Sequence, residues 1–268
     1  MKVQKLMRSA ATMKTISLSL VVAAALSLVG CASTGNQQTA SDDPHAVNDP
    51  WEGYNRKVFA FNDALDQAVG KPVVKGYRAV LPQGVRNGVH NFLSNLNSPV
   101  NLANQLLQGD LKGAGNVVFR TTVNTLTGFG GVLDNAAAEG WEPEKEDFGQ
   151  TLAVWGAGSG PYLVLPVLGP STVRDTIGLV ADTYMDPLRW YLFNTHNEEW
   201  YYGEVVMIGV DTRDQVYDAL NDLRTNSIDY YAAVRSAYLQ HRSAMINDQD
   251  AGAEQAPAIP DYDDMDDY

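Results

Sequence analysis

Between Val85 and Leu107 the apolar residues Val85, Val89, Phe92, Leu93, Leu96, Val100, Ala103, Leu106 and Leu107 recur with the spacing of one helical face. Pro99 falls inside this run and predicts a break or kink there, because proline has no N–H to give to a helix. The opposite side is built from amides, Asn87, Asn91, Asn95, Asn101 and Asn104, with few charges. Asn is a poor helix former, so propensity does not explain that choice. Two readings stay open: a neutral face turned to water, or a polar face lining a hydrated groove. In a groove, uncharged amides can bind ligand oxygens without the cost of burying a charge.

A second amphipathic segment is predicted from about Thr212 to Ile246, with Val216, Leu220, Leu223, Ile228, Tyr231, Val234, Tyr238 and Met245 near helical spacing. Its other face carries Asp214, Asp218, Asp222, Arg224, Asp229, Arg235 and Arg242, which reads as an ordinary water-facing surface. Shorter helices are expected at about 52–68 and 111–126. The stretch from Trp155 to Pro170 differs. An apolar run, Tyr162 to Leu168, is bracketed by Gly156, Gly158 and Gly160 and by three prolines, which suits neither a stable helix nor a central strand. It is either a buried connector or a hairpin hinged on its glycines. Beyond the first 30 residues no apolar run approaches the ~18 residues of a spanning helix, and alternation is too sparse for a barrel. The expected fold class is mainly α.

The N-terminus carries Lys2, Lys5, Arg8 and Lys14 ahead of an apolar run from Ile16 to Val29, relieved only by Ser. That is the layout of a secretory signal peptide, and the run is short for a span. It ends Leu28-Val29-Gly30-Cys31, and Cys31 is the single cysteine of the chain. The string resembles the lipobox of bacterial lipoproteins, which implies diacylglyceryl attachment to Cys31, cleavage before it and acylation of the new amine. Ala32 stands where Asp favours inner-membrane retention in enterobacterial lipoproteins, so the resemblance implies the outer membrane. Two or more acyl chains anchor stably where one is marginal.

Removal of residues 1–30 leaves 238 residues and, with the loss of four bases and no acid, takes the formal charge from −13 to −17. Such a chain repels nucleic acid and is not drawn to anionic headgroups, so membrane contact beyond the anchor must come from apolar insertion. Residues 248–268 hold eight acids and no base and are expected to be disordered. Four segments are expected: signal peptide 1–30, lipid-anchored tether 31–48, helical domain 49–247 and acidic tail 248–268.

Candidate chemistry is sparse. His45, His90, His196 and His241 lie far apart with no paired-ligand spacing, so no metal site is expected. Ser159 lies between glycines but lacks the G-x-S-x-G register of a nucleophile elbow, and Gly156-x-Gly158-x-Gly160 has no phosphate-binding Lys. No cofactor and no enzymatic activity are expected.

Taken together, several strings resemble one family, the MlaA (VacJ) phospholipid-transport lipoproteins. They include Asp49-Pro50-Trp51-Glu52-Gly53-Tyr54-Asn55-Arg56, Phe61-Asn62, Gly76-Tyr77-Arg78, Ser94-Asn95-Leu96, Gly128-Phe129-Gly130-Gly131 and Glu146-Asp147-Phe148-Gly149-Gln150-Thr151. The resemblance implies a ring of amphipathic helices in the inner leaflet of the outer membrane, with a central amphipathic channel beside a trimeric porin. It implies removal of phospholipid misplaced in the outer leaflet and delivery to a periplasmic lipid-binding carrier, which maintains lipid asymmetry. Matched onto this chain, the channel hairpin hinges at Gly156 and Gly158, and a conformational element includes Phe61 and Asn62. Asn87, Asn91 and Asn95 are the channel-lining candidates. The competing functions are a structural envelope lipoprotein supporting porins and a phospholipase using Ser159.

Overall fold

The computed structural model describes residues 48–247. The signal peptide, Cys31, the tether as far as Val47 and the acidic tail lie outside the described residues.

The first helix, α1 (Glu52–Leu65), runs through a π-helical turn, Asp66–Gly70, into α2 (Lys71–Val80). The expected stop near residue 68 is therefore corrected to a continuous rod ending at Val80. Pro72 would clash with the carbonyl four residues back in a regular helix; the wider turn just before it makes room.

α3 (Gln83–Leu96) and α4 (Ser98–Gln108) are separated where Pro99 predicts, and Pro99 sits in the first turn of α4, where no N–H is needed. α4 stops at Gly109, whose φ of 81° few other residues adopt. α5 (Leu111–Thr127) starts at once, with the Asp110 carboxylate accepting from the Lys112 and Gly113 amides. Gly113 lets α5 fold back against Gln105 of α4.

A short helix, α6 (Asn135–Ala138), and α7 (Phe148–Val154) lead to an antiparallel hairpin, β1 (Tyr162–Leu165) and β2 (Gly169–Thr172). Val164 opposes Pro170 in the register, and Pro170 has no N–H to give. β2 passes directly into α8 (Val173–Met185), capped by the Thr172 hydroxyl on the Asp175 amide. α7 and α8 cross with Gly149 against Gly178, so closely that a Cβ on Gly178 would overlap the Gly149 backbone.

α9 (Pro187–Asn194), α10 (Glu198–Gln215), α11 (Tyr217–Asn226) and α12 (Tyr230–Ile246) complete the described chain. The single segment expected from Thr212 to Ile246 is thus three helices. Nor is its charged face simply turned to water: Asp218 and Asp222 are exposed, but other charges point inward. Buried Asp214 receives Arg78 and Arg86, Arg224 pairs with Asp63, and Arg242 bridges Asp147 and Asp175. Helical periodicity identifies the apolar face but cannot say what the charged face meets.

Tyr162, Val164 and Tyr231 form the apolar core, with Val58, Phe59, Tyr238 and Leu239 packed on it, so β1 lies between α1 and α12. Elsewhere the interior is mixed, with polar residues in the majority. Among the described residues thirteen polar or charged residues are buried against ten apolar ones. Meanwhile Trp190, Tyr191, Trp200, Val206, Leu126 and Phe129 are among many large apolar side chains left exposed. This inversion of the usual distribution is the informative feature, since a buried polar residue or a large exposed apolar surface demands a reason. No helix of the described residues is long and apolar enough to cross a membrane.

Candidate functional site

Two asparagines of α1 hold the hairpin. Asn55, with 0% exposure, donates to the Tyr162 carbonyl at 3.1 Å and accepts from the Val164 amide at 2.9 Å, while also donating to Asp49. One carboxamide therefore satisfies the edge of β1 that β2 leaves unpaired, as a third strand would. Two turns along, Asn62 repeats the contact at the hairpin tip. It donates to the Leu165 carbonyl at 2.8 Å and accepts from the Val167 amide at 2.7 Å.

That tip is strained and apolar. Val167 has a φ of 68°, a region costly for a β-branched residue, and both Val167 and Leu168 are largely exposed. Phe61, the neighbour of Asn62, is exposed on α1. Of the two residues assigned to a conformational element, Asn62 is the one in contact with the hairpin.

The glycines ahead of β1 differ from one another. Gly156, with φ 91°, ends α7 by donating to the Ala153 carbonyl while Ala157 donates to Leu152, a left-handed helix stop. Gly158 has no positive φ and nothing within 4 Å of a Cβ, so its place in the fold does not require glycine. Gly160, not among the residues assigned to the hinge, has φ 67° and lies against Val173. Ser159 is exposed and its hydroxyl donates to the Gly160 carbonyl.

A second feature is a polar recess of about 130 Å³ walled by α3, α4, α5 and the loops around Asp134 and Lys145. Asn91 and Asn95 line it; Asn87 is exposed on α3 and does not. Asn91 donates to the Val132 carbonyl at 3.2 Å, and Asn95 donates to the Thr125 hydroxyl at 3.0 Å and the Gly130 carbonyl at 3.3 Å. The glycine string 128–131 permits this, since a Cβ on Gly131 would overlap Asn95. Asn104, grouped with these amides by its spacing, is instead fully buried and bonded to Asp182 and Thr151.

The recess holds residues that sequence reasoning passed over. Arg120 pairs with Asp134 at 2.7 Å. Burial opposes ionisation of Asp134, yet hydrogen bonds from Arg120 and Asn124 outweigh it and hold the carboxyl below the usual range. Lys145 lies 3.2 Å from His90 Nε2, and His90 Nδ1 lies 2.7 Å from buried Asp211. These residues are 55 and 121 positions apart, and no local motif announces them. Among the described residues no cluster of three His, Cys, Asp or Glu side chains could hold a metal ion.

Amides and ion pairs inside, apolar side chains outside and a polar recess between helices together define a class: a helical protein suited to apolar surroundings rather than to bulk water. The model of the MlaA lipoprotein family matches residues 47–245, and the chain belongs to that family. It is 37% identical over 239 residues to the intermembrane phospholipid transport system lipoprotein MlaA of Escherichia coli K12, covering 87% of this chain and 89% of that protein. The protein of the same name from Haemophilus influenzae is 32% identical over 244 residues, covering 88% and 92%. An uncharacterized protein of Rickettsia felis is 37% identical over 201 residues, covering 75% and 78%. A solved structure described as a structural basis for maintenance of bacterial outer membrane lipid asymmetry aligns with a TM-score of 0.63 at 38% identity, covering 74% of this chain and 99% of that one.

Proposed function

We propose that this chain is the outer-membrane lipoprotein of an intermembrane phospholipid transport system. In this reading it removes phospholipids mislocalised in the outer leaflet and passes them to a periplasmic lipid-binding carrier, maintaining lipid asymmetry. It is anchored through Cys31, its helices lie ring-like in the inner leaflet around a central amphipathic channel, and a trimeric porin holds it in place. No enzymatic step is needed.

The single observation that carries the reading is the inverted polarity. Large apolar side chains left in water each forgo ~1.5–3 kcal/mol of burial energy, which acyl chains supply instead. The polar interior then offers a path for a headgroup that could not cross apolar packing. The relatives named for phospholipid transport and the structure described for lipid asymmetry support the same reading. The hairpin is assigned the gate, hinged at Gly156 and Gly158, with Phe61 and Asn62 setting its position. Asn91 and Asn95 are assigned to the channel wall, and Asn87 to its exposed continuation on α3.

Outer-leaflet phospholipid, measured by its access to an externally added acylating enzyme, tests this with and without the protein. It should rise on deletion. Normal asymmetry together with collapsed porin levels would instead favour a scaffold, and phospholipid hydrolysis abolished by Ser159→Ala would favour an enzyme.

A further inference from the structure

Among the described residues the recess contains a cation with no carboxylate in ion-pair contact. Lys145 lines it, and among the described residues no carboxylate lies within the 4.0 Å ion-pair distance of its Nζ; Arg120, by contrast, is neutralised by Asp134. Glu144 also lines the recess but forms no ion pair with Lys145.

Among the described residues the one hydrogen-bond partner of the Lys145 ammonium is His90 Nε2. With the His90 proton on Nδ1, facing Asp211, the Nε2 lone pair accepts from the ammonium and leaves two of its three N–H donors for a ligand. Lys145 is open to solvent, yet the protein around it strips hydration from the ammonium and lowers its pKa, a loss only partly offset by the Asp211 charge. That combination belongs to a water-filled pocket. Its volume corresponds to about four waters at ~30 Å³ each, room for one small anionic group. Ser94 and Asn91 beside it are uncharged, suited to ester and hydroxyl oxygens.

We propose that Lys145, positioned by His90, binds the singly charged phosphodiester of a phospholipid within the recess of α3, α4 and α5, an assignment that rests on the transport reading. One ammonium matches one phosphodiester charge, and the surrounding amides add no charge to be desolvated. Inorganic phosphate shares this chemistry, and the experiment separates the two.

The full lipoprotein in detergent micelles, made with lysine ¹³C-labelled at Cε so that each ammonium keeps its three N–H donors, gives a Lys145 signal identified by its loss in Lys145→Arg. Dihexanoylphosphatidylglycerol should shift that signal to saturation, while dihexanoylglycerol and inorganic phosphate at equal concentration should not. An equal shift with inorganic phosphate would make this a free-phosphate site and overturn the lipid assignment; no shift with any probe would overturn the site. Lys145→Gln should weaken lipid binding by about tenfold or more, the worth of a charge-assisted hydrogen bond. Lys145→Arg should retain it.

In cells, Lys145→Gln at normal abundance should raise outer-leaflet phospholipid, as deletion does. If deletion raises it and Lys145→Gln does not, the transport reading stands and the Lys145 site falls. If deletion leaves asymmetry normal, both fall.

Discussion

Asn55 and Asn62 perform similar chemistry at sites of different burial, and their substitutions should separate accordingly. Asn55→Ala strands a buried carbonyl and a buried N–H, at ~1–3 kcal/mol each, and should lower the unfolding midpoint in detergent. Asn62→Ala frees a more exposed tip, so global stability should fall by only about 1 kcal/mol while the Val167 amide exchanges faster with deuterium. Equal loss in both variants would show that the tip does not move independently. The glycines separate in the same way. Gly156→Ala, at φ 91°, should cost ~1–2 kcal/mol, whereas Gly158→Ala should leave stability unchanged. If Gly158 is nevertheless a hinge, bulky Leu or Val there should impair lipid transfer at normal abundance and with the porin still co-purifying; normal asymmetry would sink the hinge.

At the level of elements, ion pairs between helices make stability depend on pH. Burial raises the Asp175 carboxyl, but hydrogen bonds from Tyr238 and Arg242 outweigh it and set its pKa below the ordinary value. Asp229, hydrogen-bonded by Arg56, is lowered to about 2. A carboxylate with a depressed folded pKa contributes its stability above the unfolded value and loses it as pH falls through the folded value. Thermal midpoints should therefore drop as pH falls below about 4, the unfolded carboxylate range. Asp182, raised chiefly by burial, works in the opposite direction. Asp175→Asn should flatten the acid limb, and an unchanged limb would remove this network as its cause. The boundary at Pro99 was legible in the sequence because proline has no N–H to give to a helix, and α5 was expected close to its observed bounds. Helices α8, α9 and most of α10 were not. With Ile177, Val180, Trp200 and Val206 exposed, their outward faces are apolar as well, and the contrast on which periodicity depends is lost. The recess was half legible: Asn91 and Asn95 stand on a visible face, whereas Lys145 and His90 meet only through tertiary folding.

For the whole molecule, the proposed attachment rests on residues outside those described. Cys31→Ala should leave uncut precursor without label from fatty acid, and labelled mutant chain would refute the lipobox reading. Where the enterobacterial sorting rule applies, Ala32→Asp should shift the protein towards the inner-membrane fraction; unchanged fractionation would reject that extension.

The inverted distribution of polarity also bears on how such a chain reaches its destination. In the proposed function a newly secreted copy has an aqueous compartment to traverse, and folding does not hide Trp200, Tyr191 or Phe129. Its finished state therefore remains open to self-association, because exposed apolar surface persists after folding is complete. A copy made without the proposed anchor and released into buffer should therefore self-associate while every hydrogen bond of the hairpin and the recess stays intact.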